Sequence, residues 1–390
     1  MLTPEQMEKY QLQANSMYSE VQKQIIARLI KGLEKASKIT DEAEYLIFKA
    51  LEMQVASEDI RKIIARILKK SERDIDLMFD EATETSYNYD IGTAKFDEIN
   101  LLPYKDNEEV LEIRDNVARE TKDRIYDMFL LLGFVMLVNN RVRPVELNAY
   151  YNIILDTVYN GIKEGKTYEE AIEPIIKQMT DSGVRSIPRE ELNRTGGTSS
   201  RIDVATRREI MTGLKDMQER VSDINARSIG TTVYEISWHT GHRPSHGWGG
   251  QRYDRQGKLY PTKDKIYARY GGGTMQDYNC RHSEFPVNPE MPPKYTQAEL
   301  RELERQERET IMYNGKPYNK YEQTQKQREF ERRMRKYRSK IVALKKANLD
   351  TTADKMKCRA INQQYKEFSR VCGIKTQMKR VYQDELGRVL

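Results

Sequence analysis

The residue types this chain uses least are gathered into one stretch, residues 238–282. All four histidines (His239, His242, His246, His282) and both tryptophans (Trp238, Trp248) lie there, with Cys280, one of three cysteines. The stretch opens W-H-T-G-H-R-P-S-H-G-W-G-G-Q-R-Y and, after a loop rich in Gly and Tyr, closes Y-N-C-R-H-S-E-F-P-V. Imidazole, indole and thiol crowded this way demand a compact unit in which the second limb folds back onto the first. Arg243-Pro244-Ser245-His246 is a rigid turn, with Arg243 free to meet a carboxylate and Ser245 to cap. Gly249-Gly250 and Gly271-Gly272-Gly273 supply the backbone freedom that closely packed turns need.

Three chemistries are open to such a unit. His239, His246, Cys280 and His282 are all competent zinc ligands, although Cys280-x-His282 is tighter than the usual knuckle spacing. The plainer form is a packed mini-core of Trp238, Trp248 and Phe285, with the histidines bonded to backbone carbonyls. Hydrolysis is the third: histidines near Asn279 and Asp254 imitate a histidine-based nuclease. That chemistry needs a metal and a general base within reach, and no acidic pair is placed to hold magnesium.

Long helical sequence surrounds the unit. Thr3-Pro4-Glu5 starts a helix whose stripe is Val21, Ile25, Leu29 and Leu33. Thr40-Asp41, Ser57-Glu58-Asp59 and Ser71 open three further short helices, the first with Ala43, Ile47, Ala50 and Leu51 on its inner side, as in a small bundle. Residues 87–107 are a connection. Helix resumes at Glu108 and runs through the most apolar stretch, 128–138. Its 11 residues fall short of the roughly 20 that span a bilayer, so no stable membrane insertion is expected. Pro144 restarts helix with Leu147, Tyr150, Tyr151, Ile154, Leu155 and Val158 on one face, and Gly161 and Gly165 end it. Thr167 with Glu170 is a capping-box start. Residues 185–200 are a loop, 201–227 a long amphipathic helix ended by Gly230, and 231–237 a β-branched strand leading into the unit.

After Pro286 a proline-rich linker leads to charged helices. Phe330, Met334, Tyr337, Ile341 and Leu344 form a coiled-coil-like seam, and a second helix folds back on it. Residues 315–390 hold 21 Lys and Arg against 8 Asp and Glu, a balance of +13, which leaves −7 on residues 1–314. A basic arm on an acidic body points to a polyanion or an acidic protein surface. Arg328, Arg332, Arg333, Arg335, Lys336, Arg338, Lys340, Lys345 and Lys346 are the candidate nucleic-acid contacts. Three unpaired cysteines fit a reducing compartment during folding, and the N-terminal sequence carries no signal-peptide pattern.

The fold class is therefore mainly α with a small α+β domain. Helical regions fall at 1–90 and 91–200, the compact unit at 201–290, and a basic helical arm at 291–390.

The order R-I-D-V-A-T-R-R, E-I-S, H-x-G-x-R-P-S-H-x-W, K-L-Y and N-C-R-H-S-x-x-P resembles the minor capsid protein 2 family of tailed phages. His239, Gly241, Arg243, Pro244, Ser245, His246, Asn279, Cys280, Arg281, His282 and Pro286 carry the likeness. His242 stands where the family has a small residue, and residues 251–254 lengthen the loop before Lys258. The likeness extends from about residue 201 to the end, while the first 200 residues match as generic helix. It implies a virion protein made in the host cytoplasm and located inside the head near the portal, serving head morphogenesis with candidate roles in DNA packaging or ejection. Its implied partners are portal and capsid or scaffold proteins, with packaged double-stranded DNA at the basic arm. It implies no assigned catalytic residues, and the one cofactor in view, a structural zinc, rests on the His and Cys residues themselves. The competing class is an enzyme delivered with the genome, a metal-dependent nuclease or a toxin-like ADP-ribosyltransferase.

Overall fold

A computed structural model describes residues 1–94, 102–138, 140–277, 280–384, 386, 387 and 389. Helix α1 (Pro4–Ala36) begins at a capping box between Thr3 and Gln6, and its Val21, Ile25, Leu29 and Leu33 are fully buried. The three short helices expected next are instead one 53-residue helix, α2 (Glu42–Ala94). Ser57, Asp59 and Ser71 are capping types, but a cap starts a helix only where the preceding chain has stopped. No glycine or proline stands between Glu42 and Ile91 to stop it. Ser71 turns its hydroxyl back to the Leu68 carbonyl and accepts a hydrogen bond from Tyr18. The buried face is Tyr45, Ala56, Ile60, Ile67, Ile75, Met78 and Phe79. Ile47 and Leu51, expected inside, are 65% and 60% exposed.

Helix α3 (Glu108–Phe129) stops two residues into the apolar run, which corrects a second expectation. Residues 132–138 are not helix but strand β1 (Leu132–Val138), paired antiparallel with β2 (Arg141–Glu146). Val138 pairs with Arg141, and Asn140 just before Arg141 takes φ 59°. An Asn-Asn pair between apolar runs is a hairpin signal that outweighs bulk hydrophobicity. Gly133 confirms the close approach, since a Cβ there would lie 2.0 Å from the Val145 carbonyl oxygen. Pro144 sits in this strand rather than starting a helix. Its strand is the edge of a sheet ordered β2-β1-β3-β4, where a missing N–H is tolerated.

Helix α4 (Leu147–Lys163) begins after Glu146, which caps it. Helix α5 (Tyr168–Ser182) starts at the Thr167/Glu170 box. The loop that follows contributes the short strands β3 (Arg185–Ser186) and β4 (Ser200–Arg201). Helix α6 (Ile202–Ile229) ends at left-handed Gly230, φ 71°. One apolar cluster draws on α1 to α6 and crosses the boundaries at residues 90 and 200 that the sequence suggested.

Strands β5 (Val233–Ile236), β6 (Arg252–Asp254) and β7 (Glu284–Pro286) form an antiparallel sheet in the order β6-β5-β7, flanked by helix α7 (Lys263–Arg269). Helix α8 (Gln297–Arg308) and the hairpin β8 (Ile311–Tyr313) and β9 (Lys316–Tyr318) lead to α9 (Lys320–Lys346). Helix α10 (Thr352–Val371) folds back on α9 around Phe330, Met334, Ile341, Tyr365 and Phe368, and α11 (Met378–Tyr382) follows. This C-terminal part is docked along the body. Ala343 and Leu344 of α9 and Ala347 at its C-terminal cap join the main core, and Tyr168 donates to the Ala347 carbonyl at 2.9 Å. No helix among the described residues is long and apolar enough to cross a membrane.

Candidate functional site

Strand pairing brings the two limbs together. Tyr234, Glu235 and Ile236 face Pro286, Phe285 and Glu284, and the Ser237 N–H donates to the Ser283 carbonyl at 2.8 Å. The rings then converge, with the His282 centroid 4.3 Å from His239, 4.5 Å from Trp248 and 5.6 Å from His246. Two glycines make room. A Cβ on Gly249 would lie 3.0 Å from His282 Nε2, and one on Gly273 would lie 2.8 Å from His246 Cδ2. Trp248 is fully buried, and its indole N–H donates to the Gly273 carbonyl at 2.9 Å.

The expected mini-core of Trp238, Trp248 and Phe285 does not form. Neighbouring residues of a strand face opposite ways. Phe285, paired with Glu235, therefore joins Val233 and Val287 on one face, while Trp248 packs with Ile236, Tyr267 and Cys280 on the other. Trp238 is half-buried beside His242 and Tyr295.

Each imidazole is held differently. His239 Nδ1 lies 3.0 Å from the Thr240 carbonyl and His242 Nδ1 2.9 Å from that of Arg243, so each donates there. His246 Nε2 meets Asp277 Oδ2 at 3.1 Å, and Arg243 approaches the same carboxylate. The Cys280 sulfur lies 3.5 Å from His282 Nδ1. Nε2 of His239, of His242 and of His282 are buried with no hydrogen-bond partner. Burial drives His282 well below the ordinary imidazole value and His239 down to about 4, so both are neutral at pH 7. Burial likewise pushes the Cys280 thiol up, while the Lys215 ammonium pulls it down. Of the four expected metal ligands, three (His246, Cys280 and His282) bring donor atoms within 4.8 Å of one another, with His239 alongside.

Other expected residues have different work. Asp254 accepts from the backbone N–H groups of Gln256, Lys258 and Leu259 and from the Thr232 hydroxyl, which commits it to its own loop and not to a nuclease-like centre. Asn279 lies outside the described residues. Arg281 pairs with Glu8 of α1 at 3.3 Å. Pro244 and Ser245 build the turn above His246. Sequence reasoning missed Asp277, Lys215 and Glu307, the last accepting from the Gly241 N–H at 2.7 Å. Asp277 stands three residues before Cys280, and its Thr274 hydroxyl contact is an ordinary turn signal. Lys215 and Glu307 arrive from α6 and α8, and nothing local announces them.

Beside the motif lies a cavity of about 390 Å³, where Arg243, Arg281, Arg328, Lys375 and Arg380 outnumber Glu8. The nine candidate nucleic-acid contacts divide sharply. Arg338 is buried in a two-bond pair with Asp384, Lys340 pairs with Asp354 at 3.0 Å, and Lys336 pairs with Asp181 at 3.0 Å. Arg335 donates to the Arg380 carbonyl, and Arg328 lines the cavity, where burial pulls it down to about 10. Arg328, Arg335, Arg338 and Lys340 are thus corrected from surface contacts to internal ones, whereas the Lys336 pair lies at the surface. Arg332, Arg333, Lys336, Lys345 and Lys346 remain exposed.

No curated protein and no solved structure is significantly similar to this chain. A family model described as phage minor capsid protein 2 matches residues 2–369, which takes in the N-terminal helices as well as the motif. With that match spanning nearly its whole length, the chain belongs to the phage minor capsid protein 2 family.

Proposed function

We propose that this minor capsid protein sits inside the head of a tailed phage close to the portal, where it serves head assembly and contacts packaged DNA. The observation that carries the reading is the family match over residues 2–369. The chemistry of the motif supports it: the rings are packed against glycines and each other, and Asp254 is spent on its own loop. The motif unit is a hub that joins α1, α6, α8 and α9, as a protein holding larger neighbours in register requires. Its implied neighbours are portal and capsid or scaffold surfaces. The exposed Arg332, Arg333, Lys345 and Lys346 supply the charge for DNA phosphates.

The test is labelled electron microscopy of purified particles, with label expected at the portal vertex inside the head. Label spread over the outer shell rejects the placement. Particles carrying His246→Ala and His282→Ala discriminate the enzyme class. Failed or aberrant heads support the structural role, whereas normal heads that have lost a cleaving or transferase activity refute it.

A further inference from the structure

The motif carries donors that hydrogen bonding leaves unused. His246, Cys280 and His282 are all buried, and one ligand atom from each lies within 4.8 Å of the other two. The Cys280 sulfur and His282 Nδ1 are 3.5 Å apart. Donors on a tetrahedral zinc with ordinary bond lengths sit roughly 3.3–3.8 Å from each other. A thiol–imidazole hydrogen bond gives a similar distance for this one pair, so the remaining geometry decides.

Two observations favour a metal. First, His246 Nε2 is fixed by the Asp277 carboxylate at 3.1 Å, and Asp277 is itself held by the Thr274 hydroxyl. A carboxylate on the far nitrogen is how metal-binding imidazoles are oriented, and it leaves Nδ1 as the donor. Second, His239 donates through Nδ1 to the Thr240 carbonyl, so its Nε2 carries the lone pair. That Nε2 is buried without a partner, on a ring 4.3 Å from His282. A buried orphan acceptor calls for a water or an ion. His242 Nε2 also lacks a hydrogen bond, but it points to the Glu304 carboxylate of α8 at 3.5 Å and its ring is 6.1 Å from His282.

We propose that His246, Cys280 and His282, completed by His239, hold one zinc ion that pins the 239–246 turn to the limb carrying residues 280–282. One thiolate with three imidazoles is a zinc set, and four protein donors make the site structural rather than catalytic. The ion would reinforce limbs otherwise joined by three-residue strands, and the inference does not depend on where in the head the protein sits.

The test uses the full chain, produced with zinc available and purified without chelator. Elemental analysis should find one zinc per chain, and a chelator should lower the melting temperature. The cobalt-substituted protein should show a thiolate-to-cobalt charge-transfer band. All three cysteines are free, so Cys280→Ser must abolish that band for the assignment to hold. His242→Ala should keep its zinc, whereas Asp277→Asn should weaken binding by about 10–100-fold. If Cys280→Ser fails to fold, the wild-type cobalt spectrum and Asp277→Asn decide. Folded wild-type protein that takes up neither metal overturns the proposal. A charge-transfer band that survives in Cys280→Ser, or zinc affinity untouched in Asp277→Asn, overturns it equally.

Discussion

Asp254 closes the loop after β6 with four hydrogen bonds on one carboxylate. Burial pushes that carboxyl up, but the donors from Leu259, Gln256, Thr232 and Lys258 outweigh it and hold it at about 2. An unfolded aspartate titrates at about 3.9. The folded state therefore prefers the ionised form, and its contribution is complete above about pH 4 and lost as pH falls toward 2. Asp254→Ala should destabilise the protein by about 1–3 kcal/mol at neutral pH, because backbone donors lose their acceptor. Chemical denaturation at pH 7 checks that figure. Asp254→Asn should show a flatter loss of stability between pH 4 and pH 2 than the wild type, read by the same method. At this scale the sequence was informative about which residues matter and less so about what each does. The crowding of His, Trp and Cys located the site, yet Asp254 read as a neighbour of a nuclease-like histidine centre and is a loop anchor. Asp277, which orients His246, was hidden because acidic residues are common and carry no scarcity signal.

Among the elements, helices with both ends marked were legible. Thr3, Thr167 and Gly230 stand where the structure begins or ends a helix. Errors arose where one signal was weighed without its competitor. Ser57 and Ser71 looked like caps, but with no breaker between Glu42 and Ile91 the chain stayed helical. The run at 128–138 looked like buried helix until the turn at Asn140 is weighed against it. Helix α9 is the instructive case for charge. Its positive balance was plain, but which cations face solvent depends on partners about 14 to 46 residues away, such as Asp354 and Asp384. This separates two predictions on one helix. Arg338→Ala leaves Asp384 unpaired in a buried setting and should cost about 3–5 kcal/mol. Duplex DNA binding should change in that variant only through unfolding. Reversing Arg332, Arg333, Lys345 and Lys346 to Glu should leave the melting temperature within about 2 °C. It should also flatten the slope of log affinity against log salt by about 1 for every phosphate no longer neutralised. Fluorescence anisotropy across a salt series reads it, and a slope unchanged in the four-residue variant removes phosphate binding from this face.

At the scale of the molecule, the basic C-terminal part is the question that most divides a tethered arm from a built-in wall. A tethered arm could be cut away with no effect on the rest. Here Ala343, Leu344 and Ala347 complete the core that α1 to α6 share, and Leu349 packs against it. Arg380 and Arg281 meet on Glu8 of α1, so the far C-terminal region, the motif and the first helix share one carboxylate. Ending the chain after Gly315 strips away all of this packing and pairing together. The apolar side chains alone represent on the order of 5 kcal/mol of burial. A fall of on the order of 10 °C in melting temperature is therefore expected, measured by calorimetry against the full chain. Such a truncation would lose DNA binding whether or not phosphates are bound by the helices, because it would also damage the body that presents them. Only the charge-reversal variant separates the two causes. A truncated chain that melts like the full one would mean that α9 is an appendage after all, and that the acidic body and the basic helices are held together by charge rather than by a shared core.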